Sequence, residues 1–157
     1  MNEIYMKEAL LEAKKAMDIE EVPIGAVIVK NGEIIARAHN LREFSKDPTS
    51  HAEVLAIRKA SEILGGWRLT GCDLYVTVEP CPMCAGAIML SRIDRLIIGT
   101  MDPKGGAVGS ILNIVEDERF NHYTEVIRGV LKEECAGMMK MFFKKLRRRN
   151  KNPKEKL

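Results

Sequence analysis

The second half of the chain alternates between two periodicities, and this alternation limits the fold more than any other feature. Three runs are typical of β-strands: "DLYVTVE" at 73–79, "DRLIIGT" at 94–100 and "YTEVIRG" at 123–129. The segments between them are predicted helices, from Pro82 to about Ser91 and, more briefly, over "SILNIVED" at 110–117. A strand that is followed by a helix and another strand favours parallel pairing through a crossover. We therefore expect the second half to form a parallel part of a sheet.

The first half adds an antiparallel hairpin and two helices. "VPIGAVIVK" at 22–30 and "EIIARAH" at 33–39 are joined by Asn-Gly, the strongest two-residue hairpin signal. "SHAEVLAIRKASEIL" at 50–64 predicts a helix, and a last helix is predicted from Leu131 to about Arg149. Apolar residues that recur every three or four positions predict a further helix near the N-terminus, at Met6, Ala9, Leu10, Ala13, Ala16 and Met17.

Length and composition indicate one globular domain. A chain of 157 residues is about one domain's worth, and 46% hydrophobic with 30% charged residues is typical of a soluble protein. No apolar run approaches the roughly 20 residues that span a bilayer, and the charged N-terminal segment does not resemble a signal peptide. We expect one α/β domain over residues 1–149, with a mixed five-stranded sheet and helices on both faces, then a basic tail over 150–157. A cytoplasmic, reducing location is the default expectation.

The positive charge of the chain is concentrated at its end. From Lys140 onward there are nine Lys and Arg residues and one acidic residue, Glu155, which gives +8. Since the whole chain carries +3, the preceding residues carry −5. This basic segment is either a surface for nucleic-acid phosphates or a solvated helix end whose cations complement the helix dipole. Charge alone does not separate the two.

Cys81 and Cys84, in "TVEPCPMCAGAIM", lie at a predicted strand-to-helix junction. The positive end of a helix dipole favours thiolates there, and a close pair in a reducing compartment more often binds a metal or performs redox chemistry than forms a disulfide. The two lone cysteines, Cys72 and Cys135, are predicted to be small buried hydrophobes. A tetrahedral metal site needs further ligands, and without a second Cys-x-x-Cys motif the histidines are the remaining candidates.

His51 has the chemical neighbourhood of a ligand, because it begins a predicted helix in "TSHAEV" and Glu53 follows two positions later. On a regular helix two such side chains point about 200° apart, so both reach one site only if it lies beyond the helix end. There Glu53 would be free to carry protons. Alternatively, Ser50 and Glu53 form a capping box, and the two interpretations are compatible. His39 and His122 lack this context and are not predicted to be ligands.

The "HAE" and "EPCPMCAGA" segments resemble the H-x-E…P-C-x-x-C signature of the zinc-dependent cytidine deaminase superfamily. Further segments, among them "EVPIGAVIV", "HNLRE", "DPKGGAVGS" and "FNH", resemble the bacterial tRNA-specific adenosine deaminases over residues 4–147. The resemblance implies a three-layer α/β/α cytidine-deaminase-like fold, one Zn²⁺ per subunit and a homodimer. It also implies hydrolysis of adenosine to inosine at the wobble position of an ACG-anticodon arginine tRNA, bound through its anticodon stem-loop, with no membrane partner.

The resemblance further implies roles for individual residues. His51, Cys81 and Cys84 would hold the zinc ion, and Glu53 would move protons from water to the purine and to the departing ammonia. The remaining implied roles are substrate contacts: Asn40 and the Ala52 amide at the base, the Pro80 carbonyl at the departing amine, Asp102 near the ribose, and Asn121 and His122 at the anticodon flank.

Other functions are compatible with part of this pattern. A deaminase of a free nucleobase or nucleoside, such as guanine, cytosine or deoxycytidylate, would share the zinc signature, but the basic last helix and the "DPKGGA" segment favour RNA. A zinc-stabilised RNA-binding module would not need Glu53. A Cys-x-x-Cys oxidoreductase would leave His51 without a role.

Overall fold

The computed structural model describes residues 1–151, which form five strands and five helices. The strands are β1 (Gly25–Lys30), β2 (Glu33–His39), β3 (Cys72–Val78), β4 (Arg95–Thr100) and β5 (Glu125–Arg128). The helices are α1 (Asn2–Asp18), α2 (Arg42–Ser45), α3 (Ala52–Leu64), α4 (Pro82–Leu90) and α5 (Lys132–Lys151).

The five strands form one mixed sheet in the order β2-β1-β3-β4-β5. β1 pairs antiparallel with β2 and β3, whereas β3, β4 and β5 are parallel. Asn31 and Gly32 join β1 to β2 with φ values of 51° and 77°, the left-handed conformations that a two-residue hairpin turn requires. The predicted hairpin and the predicted parallel half of the sheet are both confirmed.

Helices cover both faces of the sheet, which confirms the predicted three-layer α/β/α fold. On one face α3 and α4 pack through Ala56, Ala60 and Ile88 against apolar side chains of β1, β3 and β4. On the other face α1 and α5 pack through Met6 and Cys135, with Val27, Tyr75 and Ile97 of the sheet. The lone cysteines Cys72 and Cys135 are buried, as expected for small hydrophobes.

The predicted helix over 110–117 is wrong. This segment forms turns and a single bridge between Val108 and Asn113. Its amides bond to the preceding loop instead of to carbonyls four residues back: Ile111 donates to the Gly106 carbonyl and Ile114 to the Ala107 carbonyl. Tertiary hydrogen bonds therefore override the weak helical pattern of this short segment.

The last helix continues two residues beyond its predicted end, to Lys151. An ion pair of 2.9 Å between Arg149 and Glu20 ties this end of α5 to the segment after α1. Residues 152–157, most of the predicted basic tail, lie outside the described residues. Within residues 1–151, no helix combines the length and the apolar composition needed to cross a membrane.

Gly25 allows α1 to lie directly on the start of β1. A Cβ at this position would overlap the carbonyl oxygen of Ala9 and the amide nitrogen of Ala13, two backbone atoms of a packed helix. We expect Gly25→Ala to lower the free energy of unfolding by about 1–3 kcal/mol, the usual cost of overpacking. Gly137→Ala is the control, because no atom lies within 4 Å and an exposed helical glycine gains about 0.5–1 kcal/mol on this change. Urea unfolding measures the free energy of unfolding of both variants. A change of the same sign in Gly25→Ala and Gly137→Ala would contradict this packing.

Candidate metal centre

Three potential metal ligands converge at the starts of α3 and α4. His51 Nδ1 lies 3.5 Å from Cys81 Sγ and 3.5 Å from Cys84 Sγ. The three donor atoms all lie within 4.8 Å of one another, and this is the group of three that could hold a metal ion among residues 1–151. The two helices come together here because α4 follows β3 directly and α3 packs beside it on the same face of the sheet. The predicted triad therefore assembles.

The surroundings of Cys81 favour a thiolate. Cys81 immediately precedes α4, whose first residue is Pro82, so the sulfur lies at the positive end of the helix dipole. Hydrogen bonds from Cys84 and from His51 lower the pKa of Cys81 to about 4, despite partial burial. The same bond with Cys81, together with burial, raises the pKa of Cys84. The pair is thus suited to provide the anionic sulfur that a metal ion binds.

Glu53 lies in the first turn of α3 and is buried, with 3% of its surface exposed. Burial raises the pKa of its carboxyl to about 7, and the negative charge of Cys81 adds to this effect. Its Oε1 is the one buried side-chain N or O atom without a hydrogen-bond partner in the described part of the chain. Since buried polar atoms are nearly always paired, this oxygen points to a partner that the protein itself does not provide.

The expected capping box of Ser50 and Glu53 does not form. No side-chain hydrogen bond from the residue that precedes α3 caps the helix, and the Ser50 amide donates to the Asp47 carbonyl at 3.2 Å. The Ala52 amide is instead bonded by Asn40, whose Oδ1 accepts at 2.8 Å. Because Asn40 takes over the capping, Glu53 is released from a structural role.

The residues present fit a metal centre. One imidazole nitrogen and two cysteine sulfurs are the donor types that bind zinc-like divalent ions, and the unpaired Glu53 oxygen lies beside them. A cavity of about 220 Å³ opens onto this group, lined by Asn40, Asp102 and the triad members His51 and Cys81. This volume is below the roughly 300–1,000 Å³ of drug-sized ligand sites, so it suits a single base better than a longer strand.

Asn40, Ala52 and Pro80 lie where the site was expected, but each already has a partner. Asn40 is buried and lines the cavity, and its bond to the Ala52 amide leaves that amide without a free hydrogen. The Pro80 carbonyl accepts from the Ala107 amide at 2.8 Å and retains one lone pair. A contact of the Ala52 amide with a base stays a prediction that requires Asn40 to release it.

Asn121 and His122 are not brought to the cavity. The His122 Nε2 donates to the Ile93 carbonyl at 2.9 Å, just before β4 begins. The cavity lies at the opposite, carboxyl-terminal ends of β3 and β4, where Val78 lines it. Asn121 and His122 therefore do not line this cavity. Their expected contact with the anticodon flank stays a prediction.

Sequence reasoning did not single out seven of the residues that line the cavity: Val22, Ile24, Arg42, Val78, Glu79, Met139 and Phe143. Met139 and Phe143 reach it from α5. Glu79 is a buried acid directly before Pro80. Its hydrogen bonds hold its pKa below the ordinary value, because donors from Ser110, Asp102 and Val108 outweigh the opposing effect of burial. The sequence feature that could have identified Glu79 is its position: it is an acidic residue directly after a strand of mostly apolar residues.

The comparisons with known proteins agree with this geometry. The chain matches the family model of the MafB19-like deaminases over residues 1–147. It is 57% identical over 156 residues to a tRNA-specific adenosine deaminase of Bacillus subtilis (strain 168), which covers 99% of this chain and 97% of that protein. A solved structure from a study of A-to-I editing by tRNA:A34 deaminases at the wobble position matches with a TM-score of 0.82 and 48% identity, over 85% of this chain and 97% of that chain. A guanine deaminase from Bacillus subtilis matches at 44% identity and a TM-score of 0.61, over 63% of this chain and 64% of that chain.

Proposed function

Because this chain belongs to the family of the tRNA-specific adenosine deaminases, we propose that it is a hydrolase that converts adenosine to inosine at the wobble position of a tRNA. The observation that carries the proposal is the buried Glu53 with its unpaired oxygen beside His51, Cys81 and Cys84. The substrate that we propose is the anticodon stem-loop of an ACG-anticodon arginine tRNA. A cytoplasmic location follows from that substrate.

The proposed cofactor is one Zn²⁺ per subunit, held by the side chains of His51, Cys81 and Cys84. Three protein ligands leave one position open, which is the arrangement of catalytic zinc sites. When bound, the ion supplies a Lewis acid that makes a hydroxide nucleophile available near neutral pH. The pKa of about 4 for Cys81 supports this assignment, because thiolate is the form that ligates.

Glu53 moves the protons of the reaction. A carboxyl with a pKa of about 7 both accepts and releases protons near neutral pH. It takes a proton from water and delivers it to N1 of adenine while the water oxygen bonds to C6. It then transfers the second proton to the C6 amine, the C6–N bond breaks and ammonia leaves. Adenosine and water are thereby converted to inosine and ammonia.

The cavity orients the base. Asn40 and Asp102 both line it. In our proposal Asn40 contacts the flipped base and Asp102 lies near the ribose. The free lone pair of the Pro80 carbonyl accepts a hydrogen bond from the departing amine. These contacts hold C6 near Glu53, since the carboxylate must lie within hydrogen-bond reach of the atoms whose protons it moves.

The RNA backbone lies along α5 and the loop after β4. A second cavity of about 580 Å³ adjoins the first, shares Asp102, Met139 and Phe143 with it, and is also lined by Lys104 and Lys140. Lysines contact phosphates and fix the register of the RNA, while the choice of base is left to the cavity. We assign residues 1–149 to the deaminase domain and propose that the basic residues beyond them add phosphate contacts; of these, residues 152–157 lie outside the described residues.

We further propose that two chains form a symmetric homodimer. The apolar helix α4, which contains the segment "AGAIML", is a candidate interface, and two of its large apolar side chains, Met83 and Leu90, are exposed. A twofold pairing would cover such a face with a second copy of itself. Light scattering at micromolar protein is expected to give twice the chain mass, and a monomer mass with full deaminase activity would contradict the pairing.

Ammonia release distinguishes this function from that of a nucleobase deaminase, to which the similarity with guanine deaminase points. We expect release from the stem-loop and none above background from free adenosine, guanine or cytosine at equal concentration. A stem-loop with guanosine at the wobble position is the matched control and is expected to release none. Release from guanine and not from the RNA would move the protein to the nucleobase deaminases.

A further inference from the structure

Glu79 is a buried carboxylate to which the proposed reaction gives no role. It is 4% exposed and lies two residues before Cys81. Its Oε1 accepts from the Asp102 amide at 2.8 Å, and its Oε2 accepts from the Val108 amide at 2.9 Å. Ser110 donates twice, with its amide to Oε2 at 3.0 Å and with its hydroxyl to Oε1. All four donors belong to loop 102–110.

The loop is shaped around this carboxylate. A Cβ on Gly106 would overlap the Glu79 carboxylate, so the loop backbone approaches it as closely as a glycine allows. The next residue of the loop, Ala107, donates its amide to the Pro80 carbonyl at 2.8 Å. Two consecutive residues, Glu79 and Pro80, therefore bind the loop to the turn that leads into Cys81.

Arg128 holds the same loop from the other side. Its guanidinium, on β5, donates to the Val108 carbonyl from Nη2 at 2.8 Å and from Nε at 3.2 Å. The amide of Val108 is bonded to Glu79, so both polar groups of this backbone unit are fixed. The loop thus has a defined position between β3 and β5, and its first residue, Asp102, lines the cavity.

We infer that Glu79 is a positioning residue for the substrate: it fixes loop 102–110 to the turn before Cys81 and thereby places Asp102 at the mouth of the cavity. The inference rests on the proposed function in naming the RNA as the ligand that the loop receives. Glu79 acts through the loop and not through the metal.

We call the attachment of loop 102–110 to Glu79 the clamp. Glu79→Gln tests it, because the glutamine side chain has nearly the same shape as the glutamate side chain. Glutamine has one acceptor oxygen, and its NH₂ group would face amide donors. We expect KM for the stem-loop to rise about ten-fold, the size of one lost hydrogen bond to a charged group. We expect kcat to stay within about three-fold and zinc to stay at one ion per chain, because ligands and Glu53 are untouched. Gly106→Ala disturbs the same contact from the loop side and is expected to raise KM as well.

Trypsin provides a readout that does not depend on activity. Lys104 lies inside the loop, so releasing the loop in Glu79→Gln is expected to speed cleavage after Lys104 several-fold, and by more than cleavage at sites outside the loop. Glu62→Gln changes an exposed glutamate on α3 and is expected to alter neither KM nor cleavage.

Two results would overturn the role of Glu79. The first is a fall in kcat at constant KM. The second is loss of zinc in both Glu79→Gln and Gly106→Ala, with no change in the rate of cleavage after Lys104. Absence of deamination by the unaltered protein overturns the proposed function instead. In that case faster cleavage still supports the clamp, and unchanged cleavage overturns it.

Discussion

Glu53→Gln is expected to lower kcat for the stem-loop by about 10³-fold, while the protein keeps one zinc ion per chain and binds the RNA as before. The amide has the shape of the carboxylate but neither takes a proton from water nor passes one to the base. The buried position of Glu53 strengthens the effect, because bulk water does not replace a proton carrier at a side chain that is 3% exposed. Single-turnover kinetics, elemental analysis and fluorescence anisotropy measure the three quantities.

Glu12→Gln is a control matched for burial, because Glu12 is also 3% exposed but lies on α1, where Lys15 and His39 contact its carboxylate. This variant is expected to keep its kcat. Loss of zinc in Glu53→Gln would identify Glu53 as a ligand and not as a proton carrier. Retained activity would remove it from the mechanism altogether.

Cys84→Ala is expected to abolish both zinc binding and deamination. Cys84 is fully buried in the first turn of α4, so its removal leaves His51 and Cys81 facing each other without a third donor. Metal affinity is coupled to folding, because the ligands are brought together only in the folded chain. The variant is therefore also expected to unfold at a lower temperature than the zinc-loaded protein.

Cys72→Ala separates the loss of a ligand from the loss of packing. Cys72 is a fully buried cysteine at the start of β3 and belongs to the core beneath α3 and α4. We expect this control to lose some stability but to keep its zinc. Chelation should lower the melting temperature of the unaltered protein and of Cys72→Ala, and leave that of Cys84→Ala unchanged. Undiminished zinc in Cys84→Ala would remove Cys84 from the metal site.

The parts of the site that could be predicted are those that depend on short sequence motifs. The Cys-x-x-Cys pair and the His-x-Glu segment each lie at a helix start, and helix starts at the same end of a sheet bring their side chains together. The hairpin was predictable for a similar reason, because Asn31 and Gly32 adopt positive φ with little cost.

The parts that could not be predicted depend on contacts between distant segments. Ser50 and Glu53 have the spacing of a capping box, yet Asn40, twelve positions before Ala52, provides the hydrogen bond. Residues 110–117 have apolar residues at helical spacing, yet bonds to Glu79 and to the loop itself prevent a helix. In both places a partner outside the window of the pattern determines the local structure.

Mass spectrometry of nucleosides tests the central claim most directly. The zinc-loaded protein is incubated with the ACG anticodon stem-loop, the RNA is digested, and Glu53→Gln is the blank. We predict that inosine replaces adenosine one for one at the wobble position, and that free adenosine, guanine and cytosine in parallel reactions are unchanged. Intact adenosine in the RNA, together with deamination of guanine or cytosine, would contradict the account.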